Sequence, residues 1–138
     1  MLEHLISRAA PKPLGKYSHA VIYKDLVFVC GMGPRNFETD AVPGLVLDEK
    51  GLRLDYDIEA ETRATLLNLE IVLKEAGVGL KDVVEMNVFL TNMEDFPKMN
   101  AVYAEFFGEK APVRTTLGVA SLPGNIAVEM KATAVRPL

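Results

Sequence analysis

One amphipathic helix constrains the fold of this chain more than any other segment. The pattern predicts a helix from Asp57 to Ala76, with Asp57 as the N-cap and Gly77 just beyond the helix end. Side chains of one face recur every three or four residues: Ile58, Thr62, Leu66, Leu69, Val72, Leu73 and Ala76. A helix with a single apolar stripe must bury that stripe against a second layer, so the chain needs a layered fold.

The second layer is predicted to be a β-sheet. Five segments have strand patterns: residues 18–24, 26–32, 83–91, 114–120 and 126–135. A second helix is predicted from about Asp95 to Gly108, and residues 34–56 form a long irregular excursion with room for a short hairpin. The order strands, helix, strand, helix, strands predicts an α+β domain over residues 1–138, a mixed sheet with two helices on one face.

The other face of this predicted sheet indicates self-association. In the last strand, Glu129, Lys131, Thr133 and Val135 alternate with a purely apolar set, so this face has mixed polarity. The segment 26–32 is apolar on both faces and should be central in the sheet or covered on both sides. A partly apolar open sheet in a small protein is typical of subunits that assemble.

Composition limits the kinds of molecule that this chain is expected to bind. A length of 138 residues suits one domain, and the net charge of −4 comes with Lys and Arg residues that are scattered and never adjacent. Nucleic-acid binders usually concentrate basic charge, so this distribution argues against nucleic acid. One cysteine and two histidines are too few for a disulfide or a structural zinc site. No signal peptide or membrane-spanning stretch is visible, and we expect a soluble cytoplasmic protein.

Two residues are candidates for binding a carboxylic acid substrate and for transferring a proton. Arg114 lies where a loop enters a strand, and its planar guanidinium matches a carboxylate, although a solvated side chain or a structural ion pair is the commoner role. Glu129 lies in mid-strand, where apolar surroundings would raise its pKa and suit it to proton transfer. The alternative for Glu129 is a surface carboxylate that pairs with Lys131.

Three further residues have two interpretations each. Tyr17 precedes the first predicted strand and either closes a pocket or caps the edge of the core. Cys30 would need a base and a positive environment to act as a nucleophile, and in an apolar strand it is more typical of a small buried side chain. His19 belongs either to the surface or to a site.

The motifs together resemble the Rid/YjgF family over nearly the whole chain. The stretches that carry the resemblance are Ala10-Pro11, Gly15-Lys16-Tyr17-Ser18, Val29-Cys30-Gly31, Thr62 to Asn68, Ala76-Gly77, Asp82 to Leu90, Met93, Asp95-Phe96, Asn100, Tyr103, Phe106-Phe107, Ala111 to Thr116, and Leu122-Pro123 to Val128-Glu129. The resemblance implies a chorismate-mutase-like fold and a homotrimer with ligand sites between subunits.

The resemblance also implies an activity. Members hydrolyse reactive 2-imino or enamine acids to 2-oxo acids and ammonia, without a metal or organic cofactor. By motif position, Arg114 would bind the substrate carboxylate and Glu129 would position or activate water. The pocket would be completed by Tyr17, Asn100 and backbone groups near Gly31 and Thr116. Such chemistry needs little more than orientation, water and a proton, because an imine carbon is already electrophilic.

Three positions depart from the common family pattern, which has serine, glutamine and cysteine at Cys30, Met32 and Thr116. Other stretches resemble a 2-aminomuconate deaminase branch: Tyr17-Ser18-His19, Gly31 to Arg35, Pro43-Gly44, and Tyr56 to Ala60 with Thr62-Arg63. That substrate is a dicarboxylate and would need a second cation, for which Arg35 or a protonated His19 is the candidate.

Two other functions remain open at this point. The first is an endoribonuclease or translation inhibitor, a label attached to members of the family, which the acidic charge argues against. The second is a trimer that binds small acids without catalysis. It would share Arg114 but would not depend on Glu129.

Overall fold

The computed structural model describes residues 1–137. It contains eight strands, β1 (Leu2–Leu5), β2 (Ala20–Tyr23), β3 (Leu26–Val29), β4 (Val46–Leu47), β5 (Arg53–Asp55), β6 (Val83–Leu90), β7 (Val113–Gly118) and β8 (Val128–Val135). The two α-helices are α1 (Ile58–Glu75) and α2 (Phe96–Phe106), and one-turn 3-10 helices precede β6 and α2. Neither α-helix, nor any other helix within this range, is long and apolar enough to cross a membrane.

Six strands form one mixed sheet in the order β1-β2-β3-β8-β6-β7. Only β6 and β7 run parallel, because the crossover between them contains α2, and all other neighbours are antiparallel. Both helices pack together on one face of this sheet, and β4 and β5 form a separate hairpin. The predicted two-layer α+β class is therefore confirmed.

The elements differ from the sequence prediction mainly at their ends. Strand β3 stops at Val29 instead of continuing to residue 32, since Met32 forms only an isolated bridge with Met130. The prediction missed β1, whose residues 2–4 are exposed and which pairs only with β2 at the edge of the sheet. A four-residue edge strand with only Leu5 partly buried has too little hydrophobic alternation for a sequence pattern to reveal it.

The helix α1 forms as its sequence predicts. The Asp57 carboxylate accepts the Ala60 N–H at 3.0 Å, and Gly77 follows the helix with φ of +84°, a conformation that favours glycine. Its apolar stripe is fully buried against core side chains of the sheet that include Met86, Val88 and Met130. Burial of this stripe joins the two layers into one core.

The opposite face of the sheet remains open in the single chain. Strand β3 is central, between β2 and β8, as predicted, yet its outward side chains Leu26 and Phe28 are exposed. Val113 and Leu117 of β7 are exposed as well. Exposed large apolar side chains on one sheet face are typical of a surface that another chain covers.

Substitution of two leucines on α1, one buried and one exposed, tests how much the core contributes to stability. Leu69 is 0% exposed and Leu67 is 49% exposed. We expect Leu69→Ala to lower the free energy of unfolding by about 2–5 kcal/mol, because it leaves a cavity in the core. The matched control Leu67→Ala should change it by less than about 1 kcal/mol. Urea unfolding at one protein concentration measures both, and equal losses would contradict this account of the core.

Candidate functional site

A cleft of about 280 Å³ opens beside Glu129. We call it the glutamate cleft, and its lining includes Tyr17, Gly31, Arg35, Ile126 and Glu129. Tyr17 forms one wall, and its hydroxyl accepts the Leu14 N–H at 3.0 Å, which holds the ring against the loop before β2. Burial raises the pKa of Glu129, so at neutral pH this carboxyl holds a proton more readily than an exposed glutamate does.

The absence of a side chain at Gly31 allows Glu129 to occupy its position. A Cβ atom at Gly31 would lie 2.6 Å from Glu129 Oε2 and 2.9 Å from its Cδ. Met32, which follows Gly31, and Met130, which follows Glu129, exchange backbone hydrogen bonds of 2.7 and 2.9 Å. These bonds fix the close approach of Gly31 to Glu129. The Gly31 backbone is thereby held directly beside the carboxylate, where a larger residue would displace it.

A narrow recess next to the cleft contains His19 and Cys30. His19 is buried, its Nδ1 accepts the Ser7 N–H at 2.9 Å, and its Nε2 lies 2.7 Å from the Pro11 carbonyl oxygen. An acceptor at Nδ1 and a donor at Nε2 define the neutral tautomer. In this arrangement the imidazole ties the N-terminal loop to the start of β2.

Cys30 is half-buried, with its Sγ 3.6 Å from the Met32 sulfur. Burial, together with the negative charge of Glu129, raises the pKa of the Cys30 thiol to about 11. The thiol is therefore protonated at neutral pH, and its surroundings disfavour the thiolate that a nucleophile requires.

Arg35 lies at the border of the glutamate cleft. Its guanidinium donates to Asp40 at 3.0 Å and to the Lys12 carbonyl at 2.7 Å, and its side chain is only 15% exposed. The helix α1 holds this segment, because the Asn68 amide donates to the carbonyls of Gly33 and Arg35. Two bonds leave further guanidinium N–H donors for a ligand.

Arg114 belongs to a second group of residues, which we call the arginine cluster: Phe96, Asn100, Tyr103, Arg114 and Thr116. Its guanidinium carbon lies 4.6 Å from the Tyr103 ring centroid and 5.5 Å from that of Phe96. Among residues 1–137 no carboxylate forms an ion pair with Arg114. The rings thus hold a cation whose charge is not neutralised by a carboxylate.

Helical and strand periodicity place Asn100 and Thr116 on the same side as the other members of the arginine cluster. Asn100 is four residues after Phe96 and three before Tyr103, so it shares their side of α2. Thr116 is two residues after Arg114 on β7 and therefore shares its face of the sheet. Burial raises the pKa of Tyr103 to about 12, although Arg114 opposes the shift, so the hydroxyl stays protonated.

The sheet separates the glutamate cleft from the arginine cluster. Arg114 pairs with Met86 on β6, and Glu129 pairs with Phe89, three residues further along the same strand. Side chains an odd number of residues apart point to opposite faces. Arg114 therefore lies on the face that carries the helices, and Glu129 lies on the open face.

Of the predicted site residues, Tyr17, Gly31, Arg35 and Glu129 line the cleft, and His19 and Cys30 line the adjoining recess. Arg114 packs against two rings of the second helix, and periodicity places Asn100 and Thr116 on the same sides of α2 and β7 as these contacts. Sequence reasoning missed the contacts of Phe96 and Tyr103 with Arg114, although their spacing with Asn100 on one helix face was a usable signal. Within residues 1–137 no three His, Cys, Asp or Glu side chains are grouped so that they could hold a metal ion.

Known proteins resemble this chain along its length. The family model described as endoribonuclease L-PSP matches residues 7–136. A RutC family protein of Pyrococcus abyssi is 38% identical over 134 residues, which are 97% of each chain. The 2-iminobutanoate/2-iminopropanoate deaminase of Dermatophagoides farinae is 35% identical over 127 residues, which are 91% of this chain and 90% of that protein.

A solved structure agrees with these sequence matches. The crystal structure of Escherichia coli TdcF with bound serine is similar with a TM-score of 0.84 at 30% identity, over 98% of this chain and 99% of that one. The chain belongs to the endoribonuclease L-PSP family, which is the Rid/YjgF family that the motifs indicated. Its relatives include a named imine deaminase, and one of them binds a small amino acid.

The thiol of Cys30 gives a direct test of the glutamate cleft. We expect its alkylation by iodoacetamide to rise tenfold per pH unit up to about pH 10, because only the thiolate reacts and about 0.1% is present at pH 8. Glu129→Gln should speed the reaction at pH 8, because it removes the negative charge. Cys30 is the only cysteine, so mass spectrometry follows it alone. A rate that levels off below pH 9 would contradict this environment.

Proposed function

We propose that the protein is a hydrolytic deaminase that converts reactive 2-imino or enamine acids to 2-oxo acids and ammonia. The observation that carries the proposal is the half-buried Glu129 carboxyl, with its raised pKa, facing a cleft beside the Gly31 backbone. Arg114 supplies the second requirement, a cation without a carboxylate partner. The imine deaminase among the relatives supports the reaction class.

The proposed reaction uses these two residues in sequence. Arg114 binds the substrate carboxylate with paired N–H donors, and thereby orients the imine carbon. Glu129 accepts a proton from water as the water oxygen adds to that carbon, and it returns the proton to the nitrogen. Glu129 next accepts the hydroxyl proton of this carbinolamine and transfers it to the amino nitrogen, so that the C–N bond breaks, ammonia leaves and the carbinol oxygen becomes the carbonyl of the 2-oxo acid. A carboxyl with a raised pKa suits both proton transfers.

The position of the two residues on opposite sheet faces supports a site shared between chains. Within one chain Arg114 and Glu129 cannot approach the same small substrate, because the sheet lies between them. The open face, on which Glu129 lies, also carries the exposed apolar residues Leu26, Phe28, Val113 and Leu117. We propose that a homotrimer covers this face and joins the glutamate cleft of one subunit to the arginine cluster of the next.

A mixing experiment tests the shared site. Arg114→Ala and Glu129→Ala should each reduce ammonia release by at least about 100-fold, since each removes one group needed in the transition state. Subunits of the two variants, unfolded and refolded together, should recover about one quarter of wild-type activity, because random assembly leaves one interface in four with both residues intact.

The same experiment separates the alternatives. Refolding of each variant alone is the control and should recover nothing, and gel filtration shows whether the assembly persists. No recovery in the mixture would contradict a site shared between subunits. Full activity of the Glu129→Ala variant would contradict the role of Glu129. Binding of 2-oxo acids by the wild type without turnover would favour a small-acid-binding protein, and cleavage of RNA by the wild type with no ammonia release would favour the ribonuclease.

A dicarboxylate substrate, such as 2-aminomuconate, is the finer proposal. Arg35 borders the glutamate cleft on the same side as Tyr17 and retains free N–H donors, so it can receive a second carboxylate. His19 is less suited, because its Nδ1 already accepts a backbone N–H. The proposal therefore assigns the second carboxylate to Arg35.

Kinetics with paired substrates test the role of Arg35. Arg35→Gln should raise KM for an enamine dicarboxylate about tenfold or more and leave KM for a monocarboxylate imine nearly unchanged, because only the former loses an ion pair. The control Arg63→Gln removes an exposed arginine that pairs with Glu105 between the helices. Equal effects of Arg35→Gln on both substrates would contradict dicarboxylate selection.

A further inference from the structure

Glu61 is the one acid among residues 1–137 whose side chain is fully buried, and the proposed reaction leaves its role unexplained. It lies in the first turn of α1, is 0% exposed, and accepts the Ala127 N–H at 2.8 Å through Oε1. Its Oε2 is buried and has no hydrogen-bond partner among the described residues. A buried carboxyl with one partner costs stability compared with an apolar side chain, so it needs a functional explanation.

Ala127, the hydrogen-bond partner of Glu61, lies close in sequence to Glu129 of the glutamate cleft. Ala127 is the residue before β8 and is itself fully buried. Its carbonyl accepts the Thr91 N–H at 3.1 Å, so both backbone polar groups of Ala127 are bonded. Two residues further along, Glu129 faces the cleft. The Glu61 carboxyl therefore fixes the backbone of Ala127 at the start of β8, and through it the position of Glu129 two residues later.

Glu61 changes its charge near neutral pH. Burial raises its pKa to about 7, and the negative charges of Asp57 and Asp95 act in the same direction. The Ala127 N–H and the positive charge of Arg53 oppose the shift. These charges come from β5, the start of α1 and the turn before α2, while Ile126 and Val128, on either side of Ala127, are buried and apolar.

We propose that Glu61 is a positioning residue of the deaminase, which sets Glu129 in the cleft through the Ala127 peptide and holds it more firmly when Glu61 is ionised. An N–H bonds more strongly to a carboxylate than to a neutral carboxyl. Deprotonation of Glu61 therefore tightens the start of β8, and activity rises with pH through the titration of a residue that never contacts substrate. This inference rests on the proposed function for its kinetic readout.

Two variants and one control test this role. Glu61→Gln keeps an acceptor for Ala127 but carries no charge, and Glu61→Leu removes the acceptor while it fills the same space. Glu59→Gln removes an exposed acid from the same helical turn and is the control for helix-dipole and net-charge effects. Circular dichroism and gel filtration establish that each variant folds and assembles.

The kinetic expectation is a separation of kcat from KM. In the wild type and in Glu59→Gln, kcat should rise several-fold from pH 6 to pH 8 with a midpoint of about 7. In Glu61→Gln that rise should disappear, with kcat staying near the wild-type value at pH 6 and KM unchanged. In Glu61→Leu, kcat should fall about tenfold or more at every pH. A Glu61→Gln profile identical to the wild type would overturn the proposal.

An NMR titration tests the coupling without any reaction. The Ala127 and Val128 amide resonances of the wild type should shift together with a midpoint of about 7, and Glu61→Gln should abolish both shifts. If the wild type releases no ammonia, the proposed function fails, but these resonances still decide whether Glu61 controls the strand. An Ala127 resonance that is independent of pH would overturn the inference.

Discussion

The alternation of side chains along β8 is the constraint on which the rest of the structure depends. Val128, Met130, Ala132 and Ala134 face the helices and are buried, and because the period of a strand is two, the residues between them must face the other way. Burial of the apolar set against α1 therefore determines that Glu129 lies on the open face. A slip of one residue would bury Glu129 in the core and expose Met130.

The same constraint explains why the candidate site is divided. Arg114 shares the helix face with Met86, where the rings of Phe96 and Tyr103 hold it. Glu129 shares the open face with apolar side chains that nothing among residues 1–137 fully covers. A protein with both groups on one face would have a complete site in each subunit. Here the division links the proposed chemistry to assembly.

The two halves of the site differ in how they depend on the core. The arginine cluster is built on a helix and an edge strand, and aromatic rings hold its cation. The glutamate cleft depends on close backbone approaches, those of Gly31 to Glu129 and of Ala127 to Glu61. The proposed acid is thus held by contacts with little tolerance for added atoms, which accounts for a glycine at position 31 in physical terms.

The sequence alone determined much of the architecture, because local periodicity and capping are local properties. They determine the start of α1 at Asp57, the presence of a second helix and the buried face of β8. Motif similarity identified Arg114 and Glu129 as the central candidates. The sequence could not reveal β1, in which only Leu5 is partly buried, nor the contact between Glu61 and Ala127, which lie 66 residues apart. Only the tertiary structure decided which candidates meet, because strand register assigns Arg114 and Glu129 to opposite faces.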